Sequence, residues 1–334
     1  MPQNRRFLLQ QRPKTKITRD LFQFVTEATP ALKPGEVLIR NRYLSVDPTN
    51  RIWMSDIPQY MQPIALGEVV RSGGIGVVEE STVPELKEGD WVSGLLGWQD
   101  YAVQPAHAVQ KLPVLDLPPT AFLSALGMTA CTAYFGLLDI GAPRAGETLV
   151  VSGAAGAVGS IVVQIGLIAG LRVIGIAGGE DKCRYLTSEL GIHAAIDYKK
   201  EDVGAALDRH AIRGIDVYFD NVGGPISDEV FSRMNLNGRV ALCGLISGYN
   251  SQDQGAAAPK QYAQILMKRL SVRGFIILDF MDRMPQATQS LYEWVKAGKI
   301  KYQEDVQLGL ERAPDVLNML FEGTNKGKLI LEVD

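Results

Sequence analysis

Soft metal ligands are scarce in this chain. Three cysteines (Cys131, Cys183, Cys243) and three histidines (His107, His193, His210) lie scattered over 334 residues. An odd number of distant cysteines gives no disulfide framework, and no C-x-x-C pair offers a zinc cage. The expectation is a reducing compartment, no metal centre, and histidines that are packed or solvated. Charge of one sign is missing too. With 34 Lys and Arg against 37 Asp and Glu, the net charge of −3 gives no general attraction to nucleic acid or an anionic membrane. Nor is there a long apolar run. Ser160–Ala177 is the most apolar segment, but Gln164, Arg172 and several glycines divide it, which excludes a membrane span. Near the N-terminus, Arg5 and Arg6 precede only Phe7-Leu8-Leu9 before Gln10-Gln11-Arg12. That is too short for a signal peptide, so a cytoplasmic location is expected. No period of 20–50 residues appears, which excludes a repeat protein.

What the chain does have is length enough for two domains and one informative turn. The run Thr148–Ser152 is apolar and β-branched; Gly153, Ala154, Ala155, Gly156, Ala157, Val158 and Gly159 follow, and then the apolar stretch Ile161–Leu171. This spells strand, tight turn and buried helix. Such a turn lets a phosphate approach bare N–H groups at the positive end of a helix dipole. In the G-x-G-x-x-G pattern Ala154 stands in for the first glycine, while Gly156 and Gly159 are in place. Ala154, Gly156, Ala157, Val158 and Gly159 are therefore candidate phosphate contacts.

The context supports this. Arg172–Ala177, Ala194–Asp197, Ile215–Asp220, Arg239–Cys243 and Ser271–Leu278 read as strands, with helices at Glu180–Leu190, Glu201–His210 and Pro285–Lys296. The alternation predicts a doubly wound parallel sheet that binds a dinucleotide at the carboxyl ends of its strands. Before Pro118-Pro119 the pattern changes to short strands, Val37–Arg42, Gly73–Glu79, Trp91–Gly94 and Tyr101–Gln104, read as an antiparallel barrel or curled sheet. A helix over Ala121–Asp139 leads into the parallel sheet. The tail reads strand (Gln303–Leu308), helix (Ala313–Phe321) and strand (Lys328–Val333), and is expected to rejoin the first domain. The expected division is 1–124 and 301–334 against 125–300. The cleft between domains is the default small-molecule site.

One further absence bears on the cofactor. NAD-binding sheets carry an acid at the end of the second strand, to accept from the ribose hydroxyl. Here that strand ends Ile176-Ala177-Gly178-Gly179; Glu180 and Asp181 sit where they would cap the next helix, and Lys182 follows. Room for a 2′-phosphate and a nearby ammonium favour NADP.

With these features in view the chain resembles the zinc-independent medium-chain dehydrogenase/reductases, and within them the prostaglandin reductase or alkenal double-bond reductase family. The shared blocks include Ser45–Arg51, Gly97–Val103, Thr132–Leu137, Ala154–Gly159, Phe219–Gly224, Cys243-Gly244 with Ser247–Asn250, and Asn325–Lys328. The resemblance implies a GroES-like substrate domain, a Rossmann domain and NADPH-dependent reduction of the C=C bond of α,β-unsaturated ketones and aldehydes. It also implies roles for single residues. Lys182 and Tyr198 would meet the 2′-phosphate end, Asn221 and Asn325 the nicotinamide and ribose, Cys243 would lie beside the cofactor, and Thr132 and Gly178 complete the cofactor side. Tyr249 would touch the cofactor and overhang the substrate, and is the first candidate hydroxyl donor. The family commonly has tyrosine and methionine after Asp-Pro, where this chain has Thr49 and Asn50. Tyr60 is the second candidate donor, in place of that tyrosine.

Plainer readings stand beside these. Tyr249 and Tyr60 could be packed or surface aromatics, Asn221 could serve only its turn, Trp98 and Tyr101 read as core, and Cys131 and Cys183 as packed residues. Two other functions share the features: an NADPH:quinone oxidoreductase, and an NADPH-binding protein without turnover. The apolar edge Phe275-Ile276-Ile277-Leu278 of the sixth strand predicts a homodimer.

Overall fold

In the computed structural model residues 1–114, 116–251 and 257–333 are described. The chain opens with an antiparallel hairpin of β1 (Gln3–Leu9) and β2 (Phe22–Ala28). β3 (Glu36–Ser45), helix α1 (Pro48–Trp53), β4 (Gly73–Ser81), β5 (Trp91–Leu95), β6 (Tyr101–Pro105) and β7 (Val109–Lys111) follow. β3 is paired antiparallel to β4 on one edge and to β6 on the other, and β4 continues the sheet through β5 to β7. No strands are predicted over residues 3–28, where Arg5 and Arg6 place two charges in what is the first strand. A distant partner resolves this: the Arg5 guanidinium makes two hydrogen bonds to the Asp100 carboxylate, at 2.8 and 3.0 Å.

The second unit begins after a single 3₁₀ turn, Pro119–Phe122. Its elements are α2 (Met128–Phe135), β8 (Thr148–Ser152), α3 (Gly159–Ile168), β9 (Arg172–Ala177), α4 (Glu180–Arg184), β10 (Ala194–Asp197) and α5 (Val203–His210). Then come β11 (Ile215–Asp220), α6 (Gly224–Arg233), β12 (Met234–Leu242), α7 (Ala263–Met267), β13 (Ser271–Gly274) and α8 (Met284–Lys296). Among the described residues six strands form one parallel sheet in the order β10-β9-β8-β11-β12-β13. Every residue of β8 is buried, as expected of a central parallel strand covered on both faces. α3 is apolar all round and buried over Gly159–Gly166. The order reverses beside β8, so the loops after β8 and β11 adjoin at the sheet's switch point.

The chain then returns to the first unit with β14 (Glu304–Leu308), α9 (Ala313–Glu322) and β15 (Lys328–Glu332). β15 pairs antiparallel with β3, and β14 pairs parallel with β15, the helix α9 providing the crossover. Residues 1–123 with 304–334 pack as one unit and 124–303 as the other. The core of the first gathers Leu9, Ile39, Leu44, Val92, Trp98 and Leu331. That of the second gathers Val150, Ile174, Ile196, Tyr218 and Val240 about the sheet.

Two expectations are corrected here. The helix read over Ala121–Asp139 is broken: the 3₁₀ turn ends at Phe122, Gly127 is extended, α2 starts at Met128, and a wider π turn occupies Gly136–Gly141. Gly136 faces rings. A Cβ there would fall 2.3 Å from the Phe275 ring and 2.7 Å from that of Phe219. The same rings explain the second correction. The sixth strand stops at Gly274, not Leu278, because Phe275 turns inward against Phe219 and Phe280, and Ile277–Arg283 coils into 3₁₀ turns. The quartet Phe275–Leu278 is therefore no sheet edge. The edge is Ser271–Gly274, all four residues exposed. No helix among the described residues is long and apolar enough to cross a membrane.

Candidate active-site residues

In the parallel-sheet unit the site is built mainly from backbone. After β8, Gly153 takes a left-handed φ of +60° that reverses the chain, and Gly156 N–H closes the turn on the Gly153 carbonyl at 3.0 Å. Ala154 is fully buried and its N–H donates to the Ile176 carbonyl, which ties the turn to β9. Gly159 opens α3 in so little space that a Cβ would stand 2.3 Å from the Gly153 oxygen and 2.8 Å from the Ala154 Cα. The helix N-terminus is thus drawn against the strand end, with Ala157 and Val158 partly exposed on its lip. First-turn N–H groups have no acceptor inside their own helix and carry the positive end of its dipole. The Ser160, Ile161 and Val162 N–H groups are taken by the Gly156 and Val158 carbonyls, so an anion would meet the dipole end through the turn that precedes them.

The loop after β11 braces this turn. Asp220, buried, accepts from the Tyr218 hydroxyl (2.8 Å), the Ser152 hydroxyl (3.0 Å), the Ser227 hydroxyl (2.5 Å) and the backbone N–H groups of Val222 and Gly223 (2.9 Å each). Five donors on one carboxylate satisfy a group that would otherwise be costly to bury. Burial, with Asp220 adjacent, pushes the Tyr218 phenol well above its ordinary range. Asn221 completes the brace: its N–H donates to the Ser152 hydroxyl and its side-chain amide to the Ser152 carbonyl, at 2.9 and 2.7 Å. Sequence reasoning passed over Asp220, Ser152 and Ser227. The available signal was an acid ending an apolar strand directly before a Gly-Gly turn.

After β12 the chain folds back over itself. The Cys243 and Gly244 N–H groups donate to the Asp220 carbonyl at 2.9 and 3.1 Å, and the Tyr249 hydroxyl accepts from the Leu245 N–H at 3.1 Å, lying over Gly244. Tyr249 and Cys243 are thereby brought together with Asn221 at one end of the sheet. Burial, helped by Asp220, pushes the Cys243 thiol up to about 12, so it is a neutral thiol at physiological pH. Thr132, on α2, directs its hydroxyl to the Met128 carbonyl one turn back.

At the other flank β9 ends without an acid, as read. A Cβ on Gly178 would lie 2.8 Å from the Tyr198 ring and 2.9 Å from Lys199 Cε, so Gly178, Tyr198 and Lys199 form one surface. The two acids that follow are engaged: Glu180 pairs with Lys200 at 2.8 Å and Asp181 with Arg184. Lys182 is half-buried on the same short helix. Lys199 and Lys200 were not among the candidates, although Tyr198-Lys199-Lys200 follows directly after β10.

The β unit holds the remaining candidates. Asn325 is buried and its amide donates to the Gly327 carbonyl at 3.0 Å. Tyr60 is exposed, and its hydroxyl meets that of Thr49. The residue that departs from the family pattern thus touches the residue expected to replace it. Trp98 is fully buried in this unit's core and Tyr101 partly so. Among the described residues no group of three or more His, Cys, Asp or Glu stands together as a metal requires.

Residues 5–112 match the family described as the N-terminal domain of oxidoreductase, and residues 157–294 that described as zinc-binding dehydrogenase. The chain is 40% identical over 334 residues to the NADPH-dependent curcumin reductase of Escherichia coli, covering 99% of this chain and 97% of the relative. It is 39% identical over 303 residues to the NADP(+)-dependent 2-alkenal reductase of Nicotiana tabacum, covering 90% and 88%. The crystal structure of CurA from Vibrio vulnificus in complex with NADPH superposes with a TM-score of 0.93 at 41% identity, over 99% of both chains. An Escherichia coli quinone oxidoreductase, at 20% identity and a TM-score of 0.77, shares the fold.

Proposed function

Because the chain belongs to the zinc-independent medium-chain dehydrogenase/reductases, in their alkenal double-bond reductase family, we propose that it reduces the C=C bond of α,β-unsaturated ketones and aldehydes with NADPH. One observation carries the reading: a phosphate cradle with no room for a Cβ at Gly159, followed by a strand end without an acid, in a chain that matches NADPH-dependent enone reductases over nearly its whole length. Bound NADPH would supply a hydride to the β-carbon of the substrate, leaving charge on its carbonyl oxygen, and a proton from solvent to the α-carbon would complete the saturated product.

The chain's own residues do the rest. The turn leading into α3, with Ala154, Gly156, Ala157, Val158 and Gly159, receives the diphosphate. Lys182 and Tyr198, beside Gly178, receive the 2′-phosphate, and Lys199 adds a cation there. Asn221, Cys243, Thr132 and Asn325 line the nicotinamide and ribose. Tyr249 and Tyr60 donate to the developing enolate oxygen, which lowers the barrier because that charge is largest in the transition state. In this reading the parallel-sheet unit binds NADPH and the GroES-like β unit handles substrate. The protein works in the cytoplasm, consistent with three unpaired thiols. A homodimer no longer has the apolar quartet Phe275–Leu278 behind it and rests on the open edge Ser271–Gly274 alone; a monomer mass in light scattering would refute it.

The test is NADPH oxidation with a panel of enals, enones and quinones. Turnover of enones above quinones, with NADPH far above NADH, is expected. Quinone turnover alone would move the chain to the oxidoreductase reading, and no turnover with any acceptor would leave a binding protein. Tyr249→Phe lowers enone turnover about tenfold or more while NADPH affinity stays near wild type. Unchanged turnover removes Tyr249 from the chemistry.

A further inference from the structure

Helix α1 is held unusually firmly for six residues. Asp47 caps it and Asn50 returns a hydrogen bond to the Asp47 N–H at 2.8 Å, a reciprocal capping box. The Asn50 amide also donates to the Arg71 carbonyl at 3.0 Å. From the far end of the chain the Lys328 ammonium, 2% exposed, donates to the Val46 carbonyl and the Asp47 carboxylate at 3.0 and 2.9 Å. On the buried face the Arg51 guanidinium donates to the Pro13 and Thr15 carbonyls. The loop after α1 is stitched back onto it, since Gln59 donates to the Ile52 and Ser55 carbonyls at 3.1 and 3.0 Å. Thr49 stands in the first turn of this anchored helix, and Tyr60 directly follows the stitch. Their hydroxyls meet at the surface.

A hydroxyl pair in water adds little to stability, because solvent competes for both groups. Scaffolding of this strength around an exposed pair is better explained by the position it gives the phenol. We propose that Thr49 is a positioning residue: its hydroxyl donates to the Tyr60 oxygen and so directs the Tyr60 proton outward, as a fixed donor to the carbonyl oxygen of an enone. A hydroxyl that accepts one hydrogen bond becomes a stronger donor of its own proton. Thr49 acts through Tyr60 and does not itself touch substrate. The role rests on the enone-reductase reading above.

The experiment compares wild type with Thr49→Val, Thr49→Ser, Tyr60→Phe and the double variant Thr49→Val/Tyr60→Phe. Thr49→Val keeps the shape and removes the hydroxyl; it lowers kcat/KM for an enone about three- to tenfold with the KM for NADPH unchanged. Thr49→Ser restores it. In the Tyr60→Phe background Thr49→Val costs nothing further, the signature of two residues acting as one. The second readout needs no turnover. In protein labelled with 3-fluorotyrosine, the Tyr60 resonance is identified by its loss in Tyr60→Phe; it moves in Thr49→Val and stays in Thr49→Ser. An unmoved resonance in Thr49→Val overturns the hydroxyl pair. A moved resonance with wild-type enone kinetics, or full additivity in the double variant, overturns the positioning role. A wild-type protein that reduces no enone overturns the function and with it that role, while the resonance still reports on the pair.

Discussion

The two units build their functional residues by different means. In the parallel-sheet unit the candidates are placed by backbone: a left-handed Gly153, a Gly159 with no room for a Cβ, and loops that leave adjacent strands at the switch point. In the β unit they are placed by side chains that reach across sequence. Lys328 contacts Asp47 from 281 positions away, Asn50 reaches Arg71, and Tyr60 reaches Thr49. A backbone-built site is declared by a run of consecutive residues. A side-chain-built one is declared only by its partners.

This contrast can be broken. The largest effect is expected at the turn: Gly159→Val forces a side chain into the Gly153 carbonyl, costs about 1–3 kcal/mol of stability and removes measurable NADPH binding in a fluorescence titration. Wild-type affinity would mean that the backbone there has latitude the packing does not suggest. In the β unit, Asp47→Asn leaves the Lys328 ammonium buried without its carboxylate and should cost about 3–5 kcal/mol in urea unfolding. A loss below about 1 kcal/mol, the range of surface pairs, would remove the argument that side chains carry that unit's site.

A smaller change sharpens the cofactor side. Lys182→Ala should weaken NADPH about tenfold or more while NADH changes little. Equal losses would contradict the phosphate role and shift attention to Lys199. The smallest effect is in the thiols. Burial raises Cys243 to about 12 and Cys131 and Cys183 to about 11. A thiol raised on folding contributes stability that is complete below the unfolded value of about 8.5 and is lost as pH rises toward the folded value. Unfolding midpoints should therefore fall with pH above about 8.5, and less steeply in Cys243→Ala; identical slopes would show that the thiol is not shielded.

Legibility followed the same line. The first five strands of the parallel sheet, the helix after the glycine turn and the strand end without an acid at Ala177 could be read because each is a local pattern of period or glycine spacing, whereas α6 and α7 went unread. The reading failed where distant rings intervened. Phe275 continued an apolar run in sequence, yet Gly136, 139 positions earlier, leaves the gap that draws its ring inward and ends the strand. Asp220 escaped notice because its importance lies in five donors, three of them hydroxyls on Ser152, Tyr218 and Ser227. Of the β unit's candidates, Tyr60 was named, but its contact with Thr49 was not.

The linear chain by itself determined the βα alternation, the glycine bend and the preference for a phosphorylated dinucleotide, since apolar period, glycine spacing and a missing carboxylate act within a few residues. Folding alone decided where the sixth strand ends, which carboxylate anchors the loop beneath the bend, and which hydroxyl faces Tyr60. Those outcomes depend on side chains far apart in sequence meeting in a dense interior or on a rigid surface, and no local pattern encodes such meetings.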